Sequence, residues 1–293
     1  MCKFLGKVAK TTLQLTIVLI GHQMLIRKRK RVQTKARARY EAQQQLSEFL
    51  TIAGHEMKTP LTSIKGNIQL MGRRIKNSAD RARISQNELL SMLTEVQELL
   101  GHADQQITRL TRLVNALLDN ARISNNMIEL FLEECELSGL LHEVLENRQP
   151  FPSTRTIHLD YSEEKAVLIL ADISRVKQVI THYLSNAHKF SPSGQPIEVL
   201  LCEQEQSAYV SVKDYGQGIP TQEQEHIWDR FYRVPETRVL NGSEVGLGLG
   251  LYICRTFIER HHGQVGVLSE PGQGSTFWFT LPLLSPDLAA ALH

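Results

Sequence analysis

The chain has 293 residues, 42% of them hydrophobic and 22% charged, with a formal net charge of +2. That apolar share is ample for one or two packed domains; it excludes a disordered tail protein, a collagen-like fibre and a multi-span transporter. The small net charge hides an asymmetry: residues 1–40 hold 11 of the 33 Lys and Arg and none of the 31 Asp and Glu, which leaves 22 bases against 31 acids downstream. A basic head on an acidic body points to a surface-seeking N-terminus and not to nucleic-acid binding. Cys2, Cys135, Cys202 and Cys254 lie far apart with no C-x-x-C pairing. They read as reduced thiols, neither a disulfide framework nor a zinc site.

Residues 1–40 form a basic segment, and within it 11–26 (TTLQLTIVLIGHQMLI) carry no full charge. The run RKRKR at 27–31 follows. A membrane-spanning helix wants about 20 apolar residues, and this stretch is shorter and holds Gln14, His22 and Gln23. Three readings compete. A single-pass anchor is favoured, because the basic side would hold everything downstream in the cytoplasm. An interfacial amphipathic helix is the second, with a cytoplasmic protein as the alternative placement. A cleaved signal peptide is disfavoured, since no small-residue cleavage site precedes the basic run.

From 41 to about 76 apolar residues recur at a 3–4 spacing: Leu46, Leu50, Ala53, Met57, Leu61, Ile64, Ile68, Met71 and Ile75. A second series runs Leu89, Leu93, Val96, Leu100, Ala103, Ile107, Leu110, Val114, Leu117, Ala121. Sustained over several heptads, this is a coiled-coil seam on each of two long helices. The polar stretch 77–87 makes them an antiparallel hairpin. One hairpin leaves its stripe uncovered, whereas two make a four-helix bundle, so a homodimer is expected over the domain 41–124.

His55 sits two residues from Ala53 and two from Met57, roughly 200° around the helix from the seam. It therefore points outward. Pro60 removes a backbone hydrogen bond to the carbonyl of Glu56 and costs about 3 kcal/mol if uncompensated, so a kink is expected beside His55. The stretch Phe49-Leu50-Thr51-Ile52-Ala53-Gly54-His55-Glu56-Met57-Lys58-Thr59-Pro60-Leu61 resembles the phosphoacceptor motif of sensor histidine kinases. Gly54 stands where a small hydroxyl residue is commoner.

After residue 136 the heptads stop. Helices are predicted at 137–147, 172–189 and 250–262, and strands at 156–161, 165–170, 197–203, 208–213, 264–269 and 275–281. That is an α/β sandwich with a mixed sheet over 134–284. Asp214-Tyr215-Gly216-Gln217-Gly218 comes directly off a strand, giving a fixed acceptor and a chain that can approach a ligand closely. Gly246-Leu247-Gly248-Leu249-Gly250 opens a helix, where exposed N–H groups make a phosphate cradle. Gly272-Gln273-Gly274-Ser275-Thr276 supplies a third glycine pair. Asn186-Ala187-His188-Lys189-Phe190 closes the long helix with an amide and an ammonium suited to a metal ion and to phosphate.

In order and spacing these elements resemble the N, G1, G2 and G3 boxes of the GHKL ATPases. Trp228-Asp229-Arg230-Phe231-Tyr232-Arg233 resembles the F box that histidine kinases add. The resemblance implies ATP and Mg²⁺ as cofactors. It implies that Asp214 accepts the adenine amino group and that Gly216 and Gly218 shape the adenine wall. Asn186 would ligate Mg²⁺ and Lys189 would contact phosphate. Gly246, Gly248 and Gly250 would receive the triphosphate under a lid running from about 220 to 245, with Arg233 at the γ-phosphate, Phe231 and Tyr232 packing the lid on the hairpin, and Phe190 and Thr276 at the nucleotide. The family's first N-box Asn is replaced by His182, a second candidate metal ligand whose imidazole suits softer metals than Mg²⁺.

The activity so implied is autophosphorylation of His55, with Glu56 accepting the hydrogen bond from its ring, followed by transfer to an aspartate of a separate response regulator. Thr59 matches the position that orients water for dephosphorylating that regulator. A catalytically weak nucleotide-binding scaffold is the alternative, motivated by His182. A chaperone-like or topoisomerase-like ATPase is disfavoured, because those lack the His-Glu-Met-Lys-Thr-Pro segment.

Overall fold

The computed structural model describes residues 51, 53–76, 85–146, 155–162, 166–235, 239–240 and 246–284. The chain divides into two compact units, 1–54 and 55–293. Of the first, only 51, 53 and 54 are described, all helical. The apolar stretch at 11–26, the heptads before 51 and the connection at 77–84 lie outside the described residues. Among the described residues no helix is long and apolar enough to cross a membrane. The expected single-pass membrane placement is corrected accordingly. Even the 39-residue helix carries Glu88, Glu95, Glu98, Asp104, Arg109, Arg112, Asp119 and Arg122, spaced so that every stretch of membrane-spanning length holds several charges.

The second unit opens with a helical hairpin. Helix α1, followed here from 55 to 76, runs unbroken through the buried Pro60. Helix α2 spans Gln86–Ser124 and starts on a capping box, with the Ser85 hydroxyl accepting from the Glu88 N–H and the Glu88 carboxylate accepting from the Ser85 N–H. Two ion pairs, Glu56–Arg109 and Arg74–Glu95, fix the helices as antiparallel.

The apolar seam resolves into two columns, each with a seven-residue period. Met57, Ile64 and Met71 on α1, with Val96, Ala103, Leu110 and Leu117 on α2, are buried or half-buried. Leu61, Ile68 and Ile75, with Leu93, Leu100, Ile107 and Val114, are left 36% to 56% exposed. A single chain covers one column and leaves the other to water.

The rest is an open sheet with helices on one face. Strands β2 (Ile157–Asp160), β4 (Ile197–Gln204), β5 (Ser207–Asp214), β7 (Gly274–Pro282) and β6 (Gln264–Glu270) lie in the order β2-β4-β5-β7-β6. Only β2 and β4 pair in parallel, so the sheet is mixed as expected. A second, two-stranded sheet pairs β1 (Glu133–Glu136) with β3 (Leu168–Ala171). Helices α3 (Leu137–Glu146), α4 (Ile173–Phe190) and α5 (Gly250–Arg260) complete the layer.

Helix α4 is the organiser. Val176, Val179, Ile180, Tyr183, Leu184 and Ala187 form one buried stripe at 3–4 spacing. They meet the inner sheet face of Val199, Val210, Val212, Phe277 and Phe279, also buried. The α4 N-terminus is capped by Asp172, whose carboxylate accepts from the Arg175 N–H and also from the Phe131 N–H of the segment leaving the hairpin. These bonds hold the Asp172 carboxyl below its ordinary pKa against the opposing effect of burial. Behind the cap, His261 accepts from the Asp172 N–H at its Nε2 and lies 2.7 Å from the Phe257 carbonyl at its Nδ1, the arrangement of a neutral core histidine.

Candidate nucleotide pocket

A cavity of about 320 Å³ opens between the G1 and G2 turns and the hairpin, all within the second unit. Its floor is set by β5. Asp214, the last residue of that strand, is buried and accepts the Gly216 N–H at 2.7 Å. Burial raises its carboxyl from 3.8 to about 6, against the weaker pull of the Gly216 and Ser275 N–H groups and the Arg155 charge. A buried carboxylate at a strand end is a selective acceptor for an exocyclic amine.

Gly218 is required where it stands. Its φ is +70°, and an added Cβ would lie 1.9 Å from the Glu270 carbonyl oxygen. The G1 turn thereby sits against the β6–β7 turn, and the bond from the Gly272 N–H to the Gln217 carbonyl stitches them together. Helix α5 begins at Gly250 with no side-chain cap, so its first N–H groups are free to receive an anion.

The α4 end is held from behind by Arg155, which sequence reasoning missed. This buried guanidinium donates to the carbonyls of Ala187, His188, Ser191 and Pro192. A cation on a helix C-terminus is stabilised by the helix dipole; here it fixes the turn that presents Asn186, Lys189 and Phe190 to the cavity. The Ser191 hydroxyl then accepts the Tyr215 N–H, tying that turn to the residue after Asp214. Its neighbours Thr154 and Thr156 carry no signal that would have singled Arg155 out.

Of the residues expected at the nucleotide, Asn186, Lys189, Phe190, Asp214, Gly218, Arg233, Gly246, Gly248, Gly250 and His182 line the cavity. Gly216 lies beneath the wall, bonded to Asp214. Thr276 does not line it. On β7 the alternation turns Ser275 and Phe277 inward and Thr276 to the opposite face.

The expected lid from 220 to 245 is described through 235 and at 239–240. It contains two short 3₁₀ turns, Thr221–Glu223 and His226–Trp228. Tyr232 lines the cavity and donates its hydroxyl to Glu223. Phe231 has φ +65°, a costly conformation for an aromatic residue, and its N–H bonds to the Gly248 carbonyl.

The hairpin supplies the remaining wall. Glu56 and Arg109 line it, joined at 2.8 Å with side chains 18% and 10% exposed, together with Arg112, Leu113 and Ala116. His55, the exposed residue just before Glu56, and Thr59, whose hydroxyl donates to the His55 carbonyl, stand outside the cavity. The expected Glu56–His55 hydrogen bond is replaced by the Glu56–Arg109 pair. Successive helical residues point about 100° apart, so the carboxylate turns inward as the imidazole turns out. Arg109 was also missed. Its partner is 53 residues away in sequence, and only the antiparallel register brings them level.

An open mixed sheet with helices on one face, a strand-end carboxylate and glycine turns before an uncapped helix defines a nucleotide-binding domain. Residues 171–285 match the family described as histidine kinase-, DNA gyrase B- and HSP90-like ATPase, and residues 45–126 match the His Kinase A (phospho-acceptor) domain. The alginate biosynthesis sensor protein KinB of Pseudomonas aeruginosa is 30% identical over 239 residues, covering 81% of this chain and 37% of that protein. The adaptive-response sensory kinase SasA of Thermosynechococcus vestitus is 31% identical, covering 81% of this chain and 60% of that protein. This chain thus spans less than two thirds of the length of these relatives. The full-length ShkA structure in complex with AMPPNP superposes with a TM-score of 0.53 at 25% identity, covering 82% of this chain and 46% of that one. The chain belongs to the sensor histidine kinases of two-component systems.

Proposed function

We propose that this chain binds ATP, transfers the γ-phosphoryl group to its own His55, and passes it to an aspartate of a separate response-regulator receiver domain. The observation that carries the reading is one cavity lined by both the glycine turns of the ATPase domain and the helix face at Glu56, next to His55. Residues 41–124 serve as the dimerisation and phosphotransfer domain and 134–284 as the ATP-binding domain. A second copy covers the exposed column of Leu61, Ile68, Leu93, Leu100 and Ile107, whose heptad spacing suits a four-helix bundle.

Phosphoryl transfer asks mainly for in-line positioning and charge neutralisation. Asp214 receives the adenine amino group, while Lys189, Arg233 and the N-terminus of α5 hold the phosphates. The neutral His55 ring attacks through Nε2. A nitrogen–phosphorus bond forms, the bond from the γ-phosphorus to the bridging oxygen breaks, and ADP leaves with that electron pair. The ring sheds its Nδ1 proton to a base, the part that falls to Glu56 once it is released from Arg109. Thr59, one turn on, directs a water at the receiver's aspartyl phosphate, whose acyl oxygen–phosphorus bond breaks to give the free carboxylate and inorganic phosphate.

Mg²⁺ suits the donors present: Asn186 offers a hard amide oxygen on the cavity wall, and among the described residues no cluster of three His, Cys, Asp or Glu competes for a softer metal. Bound with the nucleotide, the ion would neutralise charge on the phosphate oxygens. Incubating the full chain with γ-labelled ATP and Mg²⁺ tests the proposal. Acid-labile, alkali-stable label is expected on the wild type, and a chain that binds ATP without acquiring label is a scaffold, not a kinase.

A further inference from the structure

His182 occupies the place where its family carries an asparagine, and the structure gives it surroundings that a metal ligand would not have. Its Nε2 lies 3.2 Å from the Asn186 side-chain nitrogen, one helical turn on. An amide nitrogen is only a donor, so Nε2 accepts, and its lone pair is engaged. Accepting at Nε2, the ring carries its single proton on Nδ1. On the other side the ring packs against Gly250, where an added Cβ would fall 1.9 Å from Cε1 and 2.3 Å from Nε2. The absent side chain at 250 makes room for this imidazole, so the first residue of α5 and the amide of α4 are held by one ring.

We infer that His182 is a positioning residue, which holds the Asn186 amide so that its oxygen faces the metal carried by the nucleotide. With Nδ2 committed to the ring, Oδ1 is the amide atom left for a ligand on the cavity wall. The ring sets the direction of the hard donor and does not coordinate, so a histidine serves here without making the site prefer a softer ion. The inference rests on the ATP-binding reading above.

A binding titration on the full chain with a fluorescent ATP analogue, in EDTA and in Mg²⁺, separates the roles. Removing an outer partner of a ligand costs about 10–100-fold in metal affinity. His182→Ala should therefore cut the gain in affinity that Mg²⁺ gives by about 10-fold or more, beyond any loss it causes in EDTA. His182→Gln, whose amide oxygen reaches the place of Nε2, should keep the gain from Mg²⁺. Asn186→Ala should lose that gain, and the double variant H182A/N186A should be no worse than N186A alone, because one residue acts through the other. An equal loss of binding in EDTA would make the ring a packing element and overturn the inference. A double variant weaker than N186A by a further factor of about 10 would make His182 a ligand in its own right, which also overturns it. Wild type that binds no analogue in either buffer overturns the ATP-binding reading and this inference together. Wild type that binds with H182A unaffected overturns the inference alone.

Discussion

The two parts of the described chain solve the burial problem differently. In the ATPase domain the core closes within one chain: the α4 stripe and the inner sheet face leave Tyr183, Phe257 and Phe279 almost wholly buried. In the hairpin only one of two heptad columns is covered, and the other stands half exposed. The nucleotide domain therefore carries its own stability, whereas that of the hairpin is linked to protomer concentration through the proposed dimer.

Four changes would break or sharpen that contrast. The largest effect on stability falls at the junction of the two regions. Arg109→Ala strands the Glu56 carboxylate in a covered site, where removal of one partner costs about 3–5 kcal/mol. A large drop in the unfolding midpoint is expected, and pairing the change with Glu56→Gln should recover most of it. An unchanged midpoint in R109A would mean the pair is solvated.

Next comes Asp214. Its folded pKa is raised, so the folded chain holds this proton more tightly than the unfolded chain does. Stability linked to this group is greatest below about pH 4, falls as pH climbs toward 6, and stays reduced above that. Asp214→Asn should therefore stabilise the ATPase domain by about 3 kcal/mol at pH 7.5 and by nothing near pH 3.5. Denaturant melts at the two pH values check this, while nucleotide titration should show binding lost at both.

A smaller effect is expected from Leu100→Glu, which sets a charge in the exposed column. It should cost about 2 kcal/mol at the proposed dimer seam and convert dimer to monomer in light scattering, with the ATPase domain still folded. A dimer that survives would place the interface elsewhere. The smallest change is Glu95→Ala: its pair with Arg74 is largely exposed, so the midpoint should move by less than about 0.5 kcal/mol.

Much of the fold was legible because period and punctuation are local signals. The α4 stripe, the β4–β5 hairpin, the glycine turns and the outward His55 all follow from spacing along one element. What escaped depends on partners far apart in sequence. The heptad pattern gave one seam where the hairpin has two columns, because periodicity does not say which of two apolar positions meets the sister helix. Strand β1, Glu133–Glu136, escaped because three of its four residues are glutamates and only β3 makes it a strand. Thr276 was placed at the nucleotide by resemblance, but the alternation of β7 gives that place to Ser275 and Phe277. Arg155 and Arg109 act through residues 32 and 53 positions away, beyond any local pattern. The membrane assignment rested on residues 11–26 alone, and no described helix supports it.

The central claim is that the phosphoryl group of ATP lands on the outward imidazole of His55, beside the cavity. Peptide mapping at alkaline pH after incubation with ATP and Mg²⁺, on wild type and His55→Gln with matched ATP affinity, tests it directly. Phosphate on the peptide containing His55 in wild type, and none in the variant, is the predicted result. Phosphate on another residue, or equal labelling of the variant, would contradict the account.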